Sequence, residues 1–153
     1  MDAIRLKTCA WTLAALLSAP LHAGEDPPVA VLGEAPACEY RKLGPVSIEA
    51  GHRVHEHTTD VTAVSYPKAF AKLLMAAEAK GGNAVILRGH RATYFTRRGV
   101  RKPAHVQLRG AAIGIGIEDD AACKLLVIDV REFAKRTCKG EAVNLESEDA
   151  YSD

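Results

Sequence analysis

No apolar stretch of this chain is long enough to cross a bilayer in the mature form, which excludes a polytopic membrane protein at the outset. Aromatic residues are scarce, at 5%, but 48% of the 153 residues are hydrophobic and 25% are charged. That balance is ordinary for soluble proteins and fits neither a disordered chain nor a coiled coil. The length suits one compact domain and falls short of two. Catalytic signatures are missing as well, since no G-x-S-x-G, P-loop or dinucleotide fingerprint occurs, and no internal repeat is visible. Ser65-Tyr66-Pro67-Lys68 spells the S-x-x-K of penicillin-binding enzymes, yet it has no K-T-G partner and the chain is too short for that fold. Ser65 has a simpler use as a helix cap, and a non-enzymatic protein is expected.

What is present begins with export grammar. Arg5 and Lys7 precede an apolar run from Cys9 to Leu17, followed by Pro20 and the small residues Ala23 and Gly24. Residues 1–23 therefore read as a cleavable signal peptide, cut after Ala23, that delivers the chain to the periplasm. The only cysteine nearby, Cys9, stands at the start of the apolar run and not at the cleavage site, so no lipidation is expected. With residues 1–23 removed the formal charge is 0, which by itself names no partner. Cys38, Cys123 and Cys138 remain in an oxidising compartment, where one disulfide and one spare thiol is the simplest arrangement.

Residues 24–37, with Pro27, Pro28 and Pro36, lack a helical period and read as an extended lead-in. From Leu43 onwards Val46, Ile48 and Ala50 alternate with Ser47 and Glu49, as a half-buried strand requires. The spacing then predicts a helix from Tyr66 to about Lys80. Pro67 lies in its first turn, Gly81-Gly82 stand past its end, and Phe70, Leu73, Leu74 and Ala77 form one apolar stripe. Asn83 to Leu87 reads as a short buried strand, completing a strand, helix, strand unit with a right-handed crossover. After a loop, His105 to Ile117 is the third strand. Its apolar parity switches between Leu108 and Ile113, which a bulge at Gly110 would absorb, keeping every apolar side chain on one core face. Lys124 to Val130 suggests an added strand, Arg131 to Thr137 a short helix, and residues 139–153 an acidic mobile tail. The expected architecture is α/β in the broad sense, α+β in detail. It is a strand-helix-strand-strand domain over residues 38–138, with a three- to four-stranded mixed sheet packed against one main helix.

Three pieces stand in a fixed order: Cys38-Glu39-Tyr40-Arg41-Lys42-Leu43-Gly44-Pro45-Val46, then Ala76 to Ile86 with Lys80-Gly81-Gly82-Asn83-Ala84-Val85, then Leu108-Arg109-Gly110-Ala111-Ala112-Ile113. This order resembles the YbjQ/RcsF-like superfamily over roughly residues 38–117. The helix-to-strand turn is the specific part, with Gly82 where that family usually has Ala. The resemblance implies a small α/β sandwich in envelope-associated proteins, among them a stress sensor and oligomers labelled as heavy-metal binders, with no established catalytic site. This chain departs from the sensor branch in lacking its lipidated cysteine and the cysteines of the segment from Leu87 to His105. The cysteine before Leu-Gly-x-Val recurs in some secreted relatives, which makes Cys38 a disulfide candidate.

Three groups of residues carry candidate chemistry. His52, His55 and His57 give H-x-x-H-x-H, and on an extended backbone His55 and His57 share a side, as ligands of one Zn or Cu ion must. His90 or His105 would supply a further ligand. Between Lys80 and Ile117 the sequence has eight Lys and Arg and no Asp or Glu. Arg91, Arg97, Arg98, Arg101 and Lys102 are the expected basic patch, on a loop with Tyr94 and Phe95 interleaved. Such a patch attracts anionic lipid or lipopolysaccharide, or is neutralised by the chain's own acidic tail; nucleic acid is not expected for an exported protein. The strand order brings Cys38 towards Cys123, with a Cys123–Cys138 bridge as the alternative. The function expected is an exported binding or envelope-stress interaction module that needs no cofactor and meets an envelope protein or anionic envelope surface, either alone or as an oligomer. The alternative is a periplasmic transition-metal binder using the histidines.

Overall fold

A computed structural model describes residues 30–52, 61–116, 123–140 and 146–152. In chain order the elements are β1 (Ala30–Leu32), β2 (Tyr40–Gly51), α1 (Tyr66–Glu78), β3 (Ala84–Arg97), β4 (Val100–Ile115), α2 (Val130–Cys138) and β5 (Glu146–Ser152). The sheet order is β1-β3-β4-β2, with β5 also paired to β3. β2 and β3 are antiparallel to β4, while β1 and β5 run parallel to β3. The mixed sheet packed against a principal helix is thus present, in the α+β class. Among the described residues no helix is long and apolar enough to cross a membrane. The proposed signal peptide lies outside the described residues.

α1 forms where the apolar stripe requires it, and Phe70, Leu73 and Ala77 are buried against the sheet. Ser65 takes the N-cap position, but its side chain makes no cap bond; its backbone carbonyl instead accepts from the Ala69 amide at 3.0 Å. The helix stops two residues before Lys80, in a turn whose residue types follow from its geometry. Gly81 sits at φ +74°, a conformation glycine adopts freely. Gly82 passes so close to β4 that a Cβ there would lie 2.9 Å from the Ile113 carbonyl oxygen. Asn83 then holds β4 with two bonds, its Nδ2 donating to the Ile115 carbonyl and its Oδ1 accepting from the Ile115 amide, both at 2.8 Å.

The parity switch on β4 has a different cause from the one expected. Val106, Leu108 and Ala112 join the principal core beneath α1, whereas Ile113 and Ile115 join a second cluster with Leu32, Ala84 and Ile86 on the other side of the sheet. The strand buries one face at one end and both faces at the other, so no bulge at Gly110 is needed. The register shifts fall elsewhere, between Lys42 and Gly44 on β2, between Leu87 and Gly89, and between Thr93 and Tyr94. Gly110 serves close approach instead, since a Cβ there would come within 2.5 Å of Val85 Cγ1 and 2.7 Å of the Ile86 carbonyl oxygen.

Four further expectations are corrected. The segment after Leu87 is not a loop: β3 and β4 extend into a long hairpin closed by Arg98 and Gly99, both at positive φ (54° and 73°), as a two-residue turn between twisted strands requires. The lead-in is not only a linker, because residues 30–32 add a parallel strand against Ala84, Val85 and Ile86 and bury Val31 and Leu32. The segment after Lys124 supplies a single bridge, Leu32 to Val127, rather than a strand, with Lys124 itself at φ 45°. Residues 146–152 of the acidic tail form a strand. The short helix does appear, as α2, with Asp129 Oδ1 accepting from the amides of Arg131 (2.8 Å) and Glu132 (3.1 Å). Cys38 and Cys123 are joined, with Cα atoms 4.6 Å apart, and Cys138 is free.

Candidate functional site

The two faces of the sheet differ in chemistry. Beneath α1 and α2 lies a buried polar network that no sequence motif announced. Tyr66, at the start of α1, meets His90 and Tyr94 from β3: its Oη is 2.7 Å from His90 Nε2 and 2.6 Å from Tyr94 Oη. Thr137 of α2 is buried beside both phenols, and its hydroxyl donates to the Phe133 carbonyl at 3.0 Å. Phe133 packs edge-on against Tyr66, Phe70 and His90, with ring centroids 5.1 to 5.7 Å apart. Arg101 lies 3.8 Å above the Tyr94 ring and donates from Nη1 to the Thr137 carbonyl at 2.8 Å.

Burial fixes the charge state of this network. It lowers His90 from 6.5 to about 4, so the ring is neutral at physiological pH. It raises both tyrosines, and Tyr66 holds its proton throughout the ordinary range. It also raises the Cys138 thiol, against the pull of Arg101. His90 Nδ1 is buried with no hydrogen-bond partner among the described residues. A neutral, enclosed His–Tyr–Tyr chain centred on Tyr66, with high-pKa phenols, ties the helices to the sheet. It offers neither an activated nucleophile nor a general base near neutral pH.

The opposite face is open. A depression of about 710 Å³ runs across β2, β4 and β3, with Ile86 and Ile113 among its lining and Lys42, Arg88 and Arg109 at its sides. Strand register builds it: Arg109 stands between Ser47 on β2 and Gly89 on β3. Because Gly89 has no side chain, the Arg109 guanidinium settles over bare backbone, its atoms 3.5 to 3.8 Å from where a Cβ would be. The bulge between Leu87 and Gly89 makes Arg88 an extra residue in β3. All three cations are solvent-exposed, and none forms an ion pair with a described residue. Among the described residues of β2, β3 and β4 the one acid is Glu49, which lies farther along β2, where it meets Gln107 Nε2 at 3.1 Å and His105 Nε2 at 3.5 Å.

The expected basic patch is therefore distributed rather than gathered on a loop. Arg91 is exposed on β3 opposite Gln107. Arg97 lies 5.8 Å from the Phe95 ring centroid, Arg98 sits in the hairpin turn, and Lys102 is exposed on β4. Arg101 turns inward to Tyr94 and is spoken for. Sequence reasoning missed Lys42, Arg88 and Arg109 as a set, because they come from three strands whose pairing it did not hold. Of the histidines, His52 is exposed just after β2, while His55 and His57 lie outside the described residues. His90 is bonded to Tyr66 in the core, away from His52, whereas His105 is opposite Gly51 at the end of β2, with its Nε2 3.5 Å from Glu49. No group of three or more metal-ligating side chains occurs among the described residues. Neither the protein-family models nor the curated proteins contain a match to this chain.

Proposed function

We propose that this protein is an exported, non-enzymatic interaction module of the bacterial envelope, of YbjQ/RcsF-like type, that presents the open face of its sheet to an anionic surface rich in phosphate groups. The observation that carries the reading is the set of exposed cations Lys42, Arg88 and Arg109 around one depression, with no ion-pair partner among the described residues. Clustered cations on a preformed sheet gain affinity for a charged surface without the cost of ordering a backbone, each contributing roughly 1 kcal/mol near anionic lipid. The signal-peptide grammar and the order of the three sequence pieces support the same compartment and type.

Sedimentation with vesicles tests it. The mature protein should bind vesicles in which about a third of the lipid is phosphatidylglycerol and leave phosphatidylcholine vesicles unbound. An Arg88→Glu/Arg109→Glu variant should melt like the wild type, since both side chains are exposed, and lose most of the binding. Equal binding by the charge-reversed variant, or none by the wild type, refutes the reading.

A further inference from the structure

The acidic C-terminal segment belongs to the sheet. β5 runs parallel to β3, with Glu146 in register with Arg91, Glu148 with Thr93 and Asp149 with Tyr94. β1 covers the same edge of β3 only from Ala84 to Ile86, so β5 continues along it where β1 has ended. The sequence of β5, Glu-Ser-Glu-Asp-Ala-Tyr-Ser, is poor in the branched and aromatic residues that favour strands. The edge it joins belongs to the acid-free run of eight cations between Lys80 and Ile117. Charge complementarity, more than apolar pairing, marks this strand for its place.

We propose that β5 is a built-in competitor for the anionic ligand of the open face, holding the cationic sheet partly neutralised until a surface of higher charge density displaces it. This rests on the reading of that face given above. Residues 141–153 contain five carboxylates and no cation, so with residues 1–23 removed the formal charge is 0 with the segment and +5 without it. Arg91, opposite Glu146, lies two residues along β3 from Gly89, opposite Arg109. Two residues of strand span about 7 Å and neighbouring strands lie about 5 Å apart, so the backbone of Glu146 is roughly 8 to 9 Å from Gly89 at the rim of the depression and roughly 12 Å from Arg109, close to one Debye length at physiological ionic strength. The field of the acidic strand therefore reaches the near rim of the depression and is damped by salt beyond it. Residues 139–145 are the whole link from α2 to β5, and so short a tether gives the strand an effective concentration in the millimolar range. A single small anion competes poorly with that; a multivalent surface competes well.

The test uses the mature chain with Glu146→Gln, Glu148→Gln and Asp149→Asn together, which keeps the strand's length, and a second variant ending at Gly140. Binding is measured on vesicles of about one third phosphatidylglycerol in low salt and again in about 1 M salt. One charge at such a surface changes affinity roughly fivefold, so both variants should bind about tenfold or more tightly than the wild type. The difference should vanish in high salt, and a synthetic peptide of residues 141–153 should weaken binding by the shortened chain. Equal or weaker binding by the variants overturns the proposal while leaving the open-face reading intact. Failure of every form to bind anionic vesicles overturns the open-face reading first, and this inference with it.

Discussion

His90 makes the stability of this domain depend on pH in a way that can be separated from general acid denaturation. In an unfolded chain its imidazole gains a proton below about pH 6.5, whereas burial in the folded chain lowers that value to about 4. Stability from the neutral, buried ring is thus fully present above pH 6.5 and drains away as pH falls towards 4, because only the unfolded state gains from protonation. A difference of about 2.5 pH units corresponds to roughly 3 kcal/mol. Desolvation drives the shift, and among the described residues the ring meets the Tyr66 hydroxyl, which keeps its proton, and the edge of Phe133. Urea unfolding of wild type and His90→Gln, from about pH 7.5 to about pH 4.5, isolates this effect, since the carboxylates titrate equally in both. At the upper end the variant should be less stable by about 1 to 2 kcal/mol, for the lost ring packing and the altered bond to Tyr66. By pH 4.5 the gap should have moved by more than about 2 kcal/mol in the variant's favour. Parallel stability curves would refute the argument, because they would mean that His90 titrates alike in both states.

Two further outcomes test the packing. The Cys38–Cys123 bridge closes a separation of 85 residues, for which chain entropy gives about 4 to 5 kcal/mol. Reduction, or Cys38→Ser, should lower the urea midpoint accordingly, and a shift worth less than about 1 kcal/mol would show that the unfolded chain is little constrained by the bond. Gly110→Ala forces a Cβ against Val85 and the Ile86 carbonyl and should cost about 2 to 3 kcal/mol, a fall in Tm of about 10 °C. Gly116→Ala, where nothing lies within 4 Å, is the matched control and should leave Tm unchanged.

The readable parts of the sequence were those in which one face alone is buried. The stripe of Phe70, Leu73 and Ala77 and the alternation of Val46, Ile48 and Ala50 each obey a single period, and both elements formed where expected. β4 was misread because its far end is buried on both sides, which looks like a slipped register when only one core is assumed. The outer part of β3 was misread because its inward residues are His90, Ala92 and Tyr94, not branched aliphatics, so the period-two pattern lay beneath the conspicuous arginines. β1 and β5 were invisible for a common reason: each is held by an edge that other segments create, with little strand preference of its own. The cations of the open face follow the same logic, since Lys42, Arg88 and Arg109 become neighbours only once β2, β4 and β3 are paired.

The bond between Cys38 and Cys123 also divides the molecule mechanically. β2, α1, β3 and β4 all lie within the covalent ring that it closes, whereas β1, α2 and β5 lie outside. Tension applied through the two ends of the chain would run from one cysteine to the other without entering the ring. The outer elements would peel away first, uncovering the edge of β3, while the open cationic face kept its shape. Some 85 residues, about 300 Å of extended chain, would be withheld from extension until the bond was reduced. Load carried between the two ends would thus leave the arrangement of Lys42, Arg88 and Arg109 undisturbed.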